Sequence, residues 1–145
     1  AGRIRVAEKW STKLGGCPLA FVHKTRDTTR PNVAVANRVV GEVAGKECVL
    51  VDDMIDTAGT ITEAIKVLTN AGAKKVIVAA THGILSDPAV RRLSESGATE
   101  VVITDTLPVS AEKRFPSLTI LSIAPLLARA ILEVFEDGSV TSLFT

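Results

Sequence analysis

Short apolar runs alternate with helical segments along most of this sequence, and that alternation restricts the folds open to it. Runs at 19–22, 49–51, 76–80, 101–103 and 118–121 predict strands. Segments at 3–14, 87–95 and 125–135 predict helices, as does a stretch with four apolar residues on one side, namely Ile61, Ala64, Ile65 and Leu68. Strands separated by helices in this order predict a parallel sheet with right-handed crossovers. The predicted fold is therefore α/β and three-layered, with a mostly parallel sheet between helices on both faces.

Two segments depart from this regular pattern. Residues 38–43 and 47–51 are both predicted to be extended and are joined by Ala44, Gly45 and Lys46, which predicts a small hairpin or flap. The last helix, 125–135, is apolar almost all round. We therefore expect it either to be deeply buried or to pack on another subunit.

Length and composition set further limits. At 145 residues the chain is predicted to form one domain, 1–145, and 46% apolar residues suffice for a core. No apolar run approaches the roughly 18 residues that a membrane span needs. A net charge of +1 argues against a general nucleic-acid surface, so we expect a small-molecule partner. Cys17 and Cys48 are expected to be buried thiols in a reducing cytoplasm.

The stretch VLVDDMIDTAGT, residues 49–60, carries the clearest chemical signal. We expect its strand to be buried on both faces and to end before Asp52 and Asp53. Small residues that let backbone N–H groups approach a ligand then lead into a helix, whose N-terminus attracts anions. Carboxylates are good acceptors for sugar hydroxyls and ligands for Mg²⁺. The stretch therefore predicts a phosphorylated sugar, with the phosphate held by Asp56, Thr57, Ala58, Gly59 and Thr60.

A structural interpretation of the same stretch also stays open. Thr60 and Glu63 have the spacing of a capping box, which would explain the helix start but not the paired aspartates. Polar residues follow two further strands, at His82 and at Asp105 with Thr106. These residues, like His23, are interpreted either as ligand contacts or as structural groups.

A basic segment follows the strand at 19–22. Residues 24–32 include Lys24, Arg26 and Arg30 but offer little apolar surface to anchor them, so we expect mobility when no ligand is bound. On residue types alone, an ordinary solvated loop is the simpler interpretation.

Several segments together resemble the ribose-phosphate pyrophosphokinase family, the synthetases of phosphoribosyl diphosphate. The strand–turn–helix stretch at 49–60 is similar to the ribose-phosphate-binding signature of the type I phosphoribosyltransferase fold. The family resemblance extends through FVHKTRDTTRPN, ATHGILSDPAVRRL, ITDTLPV and GSVTSLF. It runs essentially end to end over the second of that family's two homologous halves. The chain is thus expected to be the C-terminal half of a two-domain enzyme.

The resemblance implies a reaction and assigns roles to residues. The C1 hydroxyl of ribose 5-phosphate attacks the β-phosphorus of ATP, with Mg²⁺, and AMP is released. Lys24 and Arg26 match the catalytic, ATP-binding cations of a mobile loop, although the family's common Lys-Arg-Arg reads Lys-Thr-Arg here. Asp52 and Asp53 would face the ribose hydroxyls, with 56–60 around the 5-phosphate. No metal ligand is expected in this chain, and the chain alone is expected to be nearly inactive.

The resemblance also implies regulation and assembly. Ser139, Thr141 and Phe144 match positions where the family contacts phosphate or ADP as effectors between subunits, in a homo-oligomer of the hexamer type. Two other functions stay open: a non-catalytic, synthetase-associated regulatory protein, and a phosphoribosyltransferase. The cations Lys24 and Arg26 argue against both, because neither class needs them at this place. A cytoplasmic protein without nucleic-acid or membrane partners is expected.

Overall fold

Within residues 4–24 and 37–144, which the computed structural model describes, six strands and four helices follow one another in nearly the predicted order. The elements are α1 (Ile4–Lys13), β1 (Phe21–Lys24), β2 (Asn37–Val40), β3 (Glu47–Ile55), α2 (Gly59–Asn70), β4 (Lys75–Gly83), α3 (Ala89–Ser94), β5 (Glu100–Thr104), β6 (Leu118–Leu121) and α4 (Ala124–Phe135). Short 3₁₀ turns lie at Ala111–Lys113 and Val140–Phe144.

The central element is a parallel sheet of four strands in the order β3-β4-β5-β6. Its register places Val78 beside Val101, and Ile103 beside Ile120. The β-branched runs form these strands because parallel strands joined by crossovers bury apolar side chains. The predicted α/β fold with a parallel sheet is confirmed.

Helices α2 and α3 pack on one face of this sheet. Ile61, Ile65 and Leu68 recur at helical spacing along α2 and are buried in one core with Val78 and Leu93. The apolar periodicity that predicted α2 is therefore the periodicity that joins it to the sheet.

The opposite face of the sheet is only partly covered. Val49 is 41% exposed and Leu121 is 53% exposed, so the prediction that the 49–51 run is buried on both faces is wrong for Val49. Neither α1 nor α4 has a buried residue. Among residues 4–24 and 37–144, the helices that bury side chains are therefore α2 and α3, which lie on the same face of the sheet.

The predicted hairpin of residues 38–43 with 47–51 is wrong. β2 pairs antiparallel with β1, placing Val39 beside Val22, whereas β3 joins the parallel sheet through β4. The turn at Gly45 is held by the α2–β4 connection instead, because its N–H donates to the Gly72 carbonyl oxygen at 2.7 Å. This hydrogen bond lies beside the point where β3, the strand after the turn, begins to pair with β4.

Gly41 follows β2 in a conformation that other residues rarely adopt. Its φ is +112°, and a Cβ there would lie 3.0 Å from the Leu19 carbonyl oxygen. We expect Gly41→Ala to lower the free energy of unfolding by about 1–3 kcal/mol, measured by urea denaturation. Gly45→Ala is the control, because Gly45 also has positive φ but open space around it. Equal losses in the two variants would show that the contact with Leu19 contributes nothing.

Helix α4 leaves its apolar side chains exposed. Phe135 is 84% exposed, Val134 is 67% exposed and Ile131 is 59% exposed. Deep burial of this helix, one of the two sequence-based alternatives, is therefore wrong for the part of the chain described. No described helix is long and apolar enough to cross a bilayer.

Candidate functional site

Asp52 and Asp53 lie within β3 rather than after it. The strand runs through both residues to Ile55, which pairs with Gly83 of β4. The prediction that the strand ends before the aspartates is wrong, because the ladder with β4 extends it to the edge of the sheet. Both carboxylates are nevertheless at the carboxyl end of the parallel strands, where ligands bind in open α/β sheets.

The two aspartates leave the strand on opposite faces. Successive side chains of a strand alternate between faces, and Asp52 shares the α2 face with its register partner, Ala80. The backbone N–H of Asp53 donates to Asp52 Oδ1 at 2.9 Å, and that of Met54 donates to Asp53 Oδ1 at 2.9 Å. Each carboxylate is thus oriented in part by the following residue.

A short loop, 56–58, connects β3 to α2 and consists of Asp56, Thr57 and Ala58. Ala58 is the N-cap residue in the left-handed conformation, with φ 59°, and no side chain caps the helix. Within the described part of the chain, the N–H groups of Ala58, Gly59 and Thr60 have no protein acceptor. The N–H groups of Gly59 and Thr60 are accessible to a ligand, whereas Ala58 is only 5% exposed.

The capping-box interpretation of this helix start is wrong. Thr60 is the second residue of α2 rather than its cap. The Glu63 carboxylate instead accepts a hydrogen bond from Lys66 Nζ at 2.9 Å. The helix therefore begins without either hydrogen bond of that motif.

An uncapped helix start with a left-handed residue has the chemistry of an anion site. The first N–H groups of a helix carry partial positive charge, and a left-handed residue beside them turns consecutive donors toward a common point. Asp52, Gly59 and Thr60 line one cleft of about 1450 Å³, which extends along β3 to α1. A phosphate at the first residues of α2 and hydroxyl groups on Asp52 can share this cleft.

Arg92 is a residue of this cleft that the sequence did not predict. One of its guanidinium nitrogens, Nη1, donates to the Thr57 carbonyl oxygen at 2.9 Å, linking α3 to the loop. The only signal in the sequence is a pair of arginines on the predicted helix 87–95, which does not connect either one to residue 57.

His82 and three threonines form a polar cluster at the carboxyl ends of β4 and β5. His82 Nδ1 lies 2.9 Å from Thr106 Oγ1. Thr104 Oγ1 donates to the Thr81 carbonyl oxygen at 2.6 Å. His82 is therefore part of a hydrogen-bonded cluster at the edge of the sheet where the loop 56–58 also lies.

The chain is similar in sequence to proteins of a known family. Residues 21–145 match the family model described as the phosphoribosyl synthetase-associated domain. The chain belongs to this family. It is 72% identical to a ribose-phosphate pyrophosphokinase of Bifidobacterium longum over 99% of the chain, and 65% identical to one of Mycobacterium tuberculosis.

A solved structure of the synthetase family agrees with the fold. Phosphoribosylpyrophosphate synthetase from Mycobacterium smegmatis superposes with a TM-score of 0.86 at 62% identity, covering 95% of this chain and 43% of that one. The chain spans 42% and 44% of the lengths of the two curated relatives. It is thus similar to less than half of each synthetase.

Within this family member, Asp105 holds the start of α4. Its carboxylate accepts hydrogen bonds from Ser122 Oγ at 2.6 Å and from the Ile123 N–H at 2.8 Å. Both hydrogen bonds lower the pKa of Asp105, and the bond from the Ser122 hydroxyl has the larger effect. These contacts assign Asp105 a structural role at the helix start, one of the two interpretations left open by the sequence.

The pKa of Asp105 provides a test of this role. Because folding lowers it, the carboxylate stabilises the fold above its unfolded pKa, and that contribution is lost as the pH falls through the folded pKa. Ser122→Ala should raise the pKa toward its ordinary value, as read by carboxyl NMR titration. Ser110→Ala is the control, because Ser110 lowers the pKa of Glu112 instead. An unchanged Asp105 pKa in Ser122→Ala would contradict the assignment.

The structure describes some of the remaining predicted residues and not others. Lys24 is the last residue of β1, whereas Arg26 lies outside the described residues. Ser139 Oγ accepts the Thr141 N–H at 3.3 Å, beside the 3₁₀ turn that ends at Phe144. This contact joins two of the three predicted regulatory positions, and Phe144 follows at the end of the turn.

The predicted burial of the thiols is only partly correct. Cys17 is exposed, so the prediction is wrong for it. Cys48 is half-buried, and burial raises the pKa of its thiol. The described residues include no group of three or more His, Cys, Asp or Glu side chains that could hold a metal ion.

Proposed function

We propose that this chain is the ribose 5-phosphate-binding half of a ribose-phosphate pyrophosphokinase. The observation that supports this most directly is the uncapped start of α2, whose donors share a cleft with Asp52. The proposed reaction transfers the diphosphate group of ATP to the C1 hydroxyl of ribose 5-phosphate, giving 5-phosphoribosyl 1-diphosphate and AMP.

Each part of the site has a distinct task in this proposal. The backbone of residues 56–60 binds the 5-phosphate, and Asp52 and Asp53 accept hydrogen bonds from the ribose hydroxyls. Lys24 and Arg26 stabilise the negative charge that spreads over the phosphate oxygens in the transition state.

Magnesium enters with ATP in this proposal. Carboxylate oxygens suit Mg²⁺, but the proposal assigns no metal ligand to this chain. Mg²⁺ supplies charge neutralisation on the ATP phosphates. This chain contributes the sugar-phosphate contacts and the cations of residues 24 and 26.

The chain is proposed to be the C-terminal of two halves. The relatives are more than twice its length, and the share covered does not specify which part of them it matches. The family resemblance of the segments around Lys24 and at 138–144 supports the second half. Reading the complete open reading frame tests this, and a position in the first half would overturn it.

Three further features belong to the same proposal. The exposed apolar side of α4 is consistent with a homo-oligomer of the hexamer type, with phosphate or ADP as effectors at Ser139, Thr141 and Phe144. Parallel sheets are normally covered on both faces, so the partly exposed face of this sheet supports a third layer in the complete protein. A cytoplasmic location is also proposed.

The experiment compares the complete protein with the isolated chain. AMP release from ATP is measured with ribose 5-phosphate, and free ribose is the control that lacks the phosphate. We expect turnover only with ribose 5-phosphate and only in the complete protein. Binding of ribose 5-phosphate without turnover would favour the synthetase-associated, non-catalytic alternative, and robust turnover by the isolated chain would refute the half-enzyme proposal.

A further inference from the structure

Arg92, a residue that lines the cleft, connects the helix α3 to Thr57 of the loop 56–58. Its Nη1 donates to the Thr57 carbonyl oxygen at 2.9 Å, and a Cβ on Gly59 would lie 3.4 Å from the same nitrogen. The helix is anchored beneath it, because Ala89 and Leu93 are buried in the core. An exposed cation on a helix anchored by these two buried residues thus contacts the loop and the start of α2.

This contact determines where the loop donors point. In a planar trans peptide the carbonyl oxygen and the following N–H point in opposite directions. Because the Thr57 carbonyl points toward Arg92, the Ala58 N–H of the same peptide points away from the guanidinium. The orientation of that donor is therefore coupled to Arg92.

The contact also opposes a conformation that the loop would otherwise favour. Ala58 has a φ of 59°, a left-handed conformation that is unfavourable for a residue with a Cβ. Rotating the Thr57–Ala58 peptide would relieve this strain and would turn the Ala58 N–H away from its neighbours. The hydrogen bond from Arg92 would be lost on that rotation, so it favours the present orientation of the peptide.

We propose that Arg92 is a positioning residue for the phosphate-binding loop, which rests on the proposed function of that loop. It acts through the Thr57 peptide and does not contact the diphosphate group that is transferred. Its loss should weaken ribose 5-phosphate binding while leaving the ATP interaction and the rate at saturation nearly unchanged.

The test uses Arg92→Ala and Arg92→Lys in the complete protein. We expect Arg92→Ala to raise KM for ribose 5-phosphate by about 10–100-fold, the effect of one charge-assisted hydrogen bond. KM for ATP and kcat should stay within about 2-fold, since neither depends on this peptide. Arg92→Lys should raise KM less, because lysine keeps the charge but not the planar fork.

Two controls separate positioning from charge and from folding. Arg91→Ala removes the same charge from the neighbouring exposed position of α3 and should leave KM for ribose 5-phosphate unchanged. Added guanidinium at millimolar concentration should partly restore KM in Arg92→Ala, which a general loss of structure would not allow. Melting temperatures show whether each variant is folded, and Arg92→Lys carries the test if Arg92→Ala is not.

The outcomes distinguish this inference from the proposed function. If the wild type turns over and both Arg92 variants match Arg91→Ala in KM for ribose 5-phosphate, the inference is overturned alone. A parallel loss in kcat and in both KM values, without guanidinium rescue, would also overturn it by showing a purely structural role. A wild type that neither binds nor turns over ribose 5-phosphate would overturn the proposed function together with the inference.

Discussion

Replacing Lys24 with alanine in the complete enzyme should lower kcat by about 10²–10³-fold, the effect of losing one preorganised electrostatic donor. The ammonium group is proposed to stabilise charge that develops on the ATP phosphates only as the diphosphate is transferred. The affinity for ribose 5-phosphate should therefore change little. Initial rates of AMP release at saturating substrates give kcat, and direct binding of ribose 5-phosphate gives the affinity.

Lys9→Ala is the matched control for this variant. Lys9 is an exposed lysine of α1 that does not line the cleft, so its replacement removes the same charge outside the proposed site. Its kcat should equal that of the wild type. Equal losses of binding and rate in Lys24→Ala would contradict a transition-state role and would indicate a contact already made in the ground state.

The parallel sheet was predictable because each of its strands has a recognisable pattern of neighbouring residues. Apolar runs such as 76–80 and 101–103 are continuous, and the spacing of Ile61, Ile65 and Leu68 is helical. Alternation of the two patterns then specifies a parallel sheet. These features need only neighbouring residues for their recognition, so the amino-acid sequence alone predicts the order of elements.

Strand pairing was harder to predict because it depends on contacts distant in sequence. The segments 38–43 and 47–51 are both extended and close together, but the turn between them is bonded to Gly72, nearly thirty residues away. The extension of β3 through Asp53 likewise depends on its ladder with β4. Neither the bond to Gly72 nor the β3–β4 ladder can be inferred from the residues around it in the sequence.

In the candidate site, too, the local features were predictable and the contacts between residues distant in sequence were not. The small residues of the loop 56–58 and the helix after them are local, and the structure places them together at the carboxyl edge of the sheet. The contact of Arg92 with Thr57 joins residues 35 positions apart, and the contact of Asp105 with Ser122 joins residues 17 apart. Residues that position a site from another element are therefore the ones that sequence patterns miss.

The alternation of β3 leads to the second large effect. Asp52 lies on the α2 face and lines the cleft with Gly59, whereas Asp53 leaves the strand on the other face. We expect Asp52→Asn in the complete enzyme to raise KM for ribose 5-phosphate by about 10–100-fold, because a charged acceptor for ribose hydroxyls is lost. Asp53→Asn should raise it by a smaller factor. KM is measured from AMP release at saturating ATP.

Asp87→Asn is the control for charge alone, because Asp87 is an exposed carboxylate that follows β4 and does not line the cleft. Its KM should match the wild type. Equal effects of Asp52→Asn and Asp53→Asn would contradict a larger role for the carboxylate that faces the cleft. No effect in either variant would remove the aspartates from the sugar site, since a hydroxyl-binding carboxylate cannot become an amide without loss of its charge-assisted hydrogen bonds.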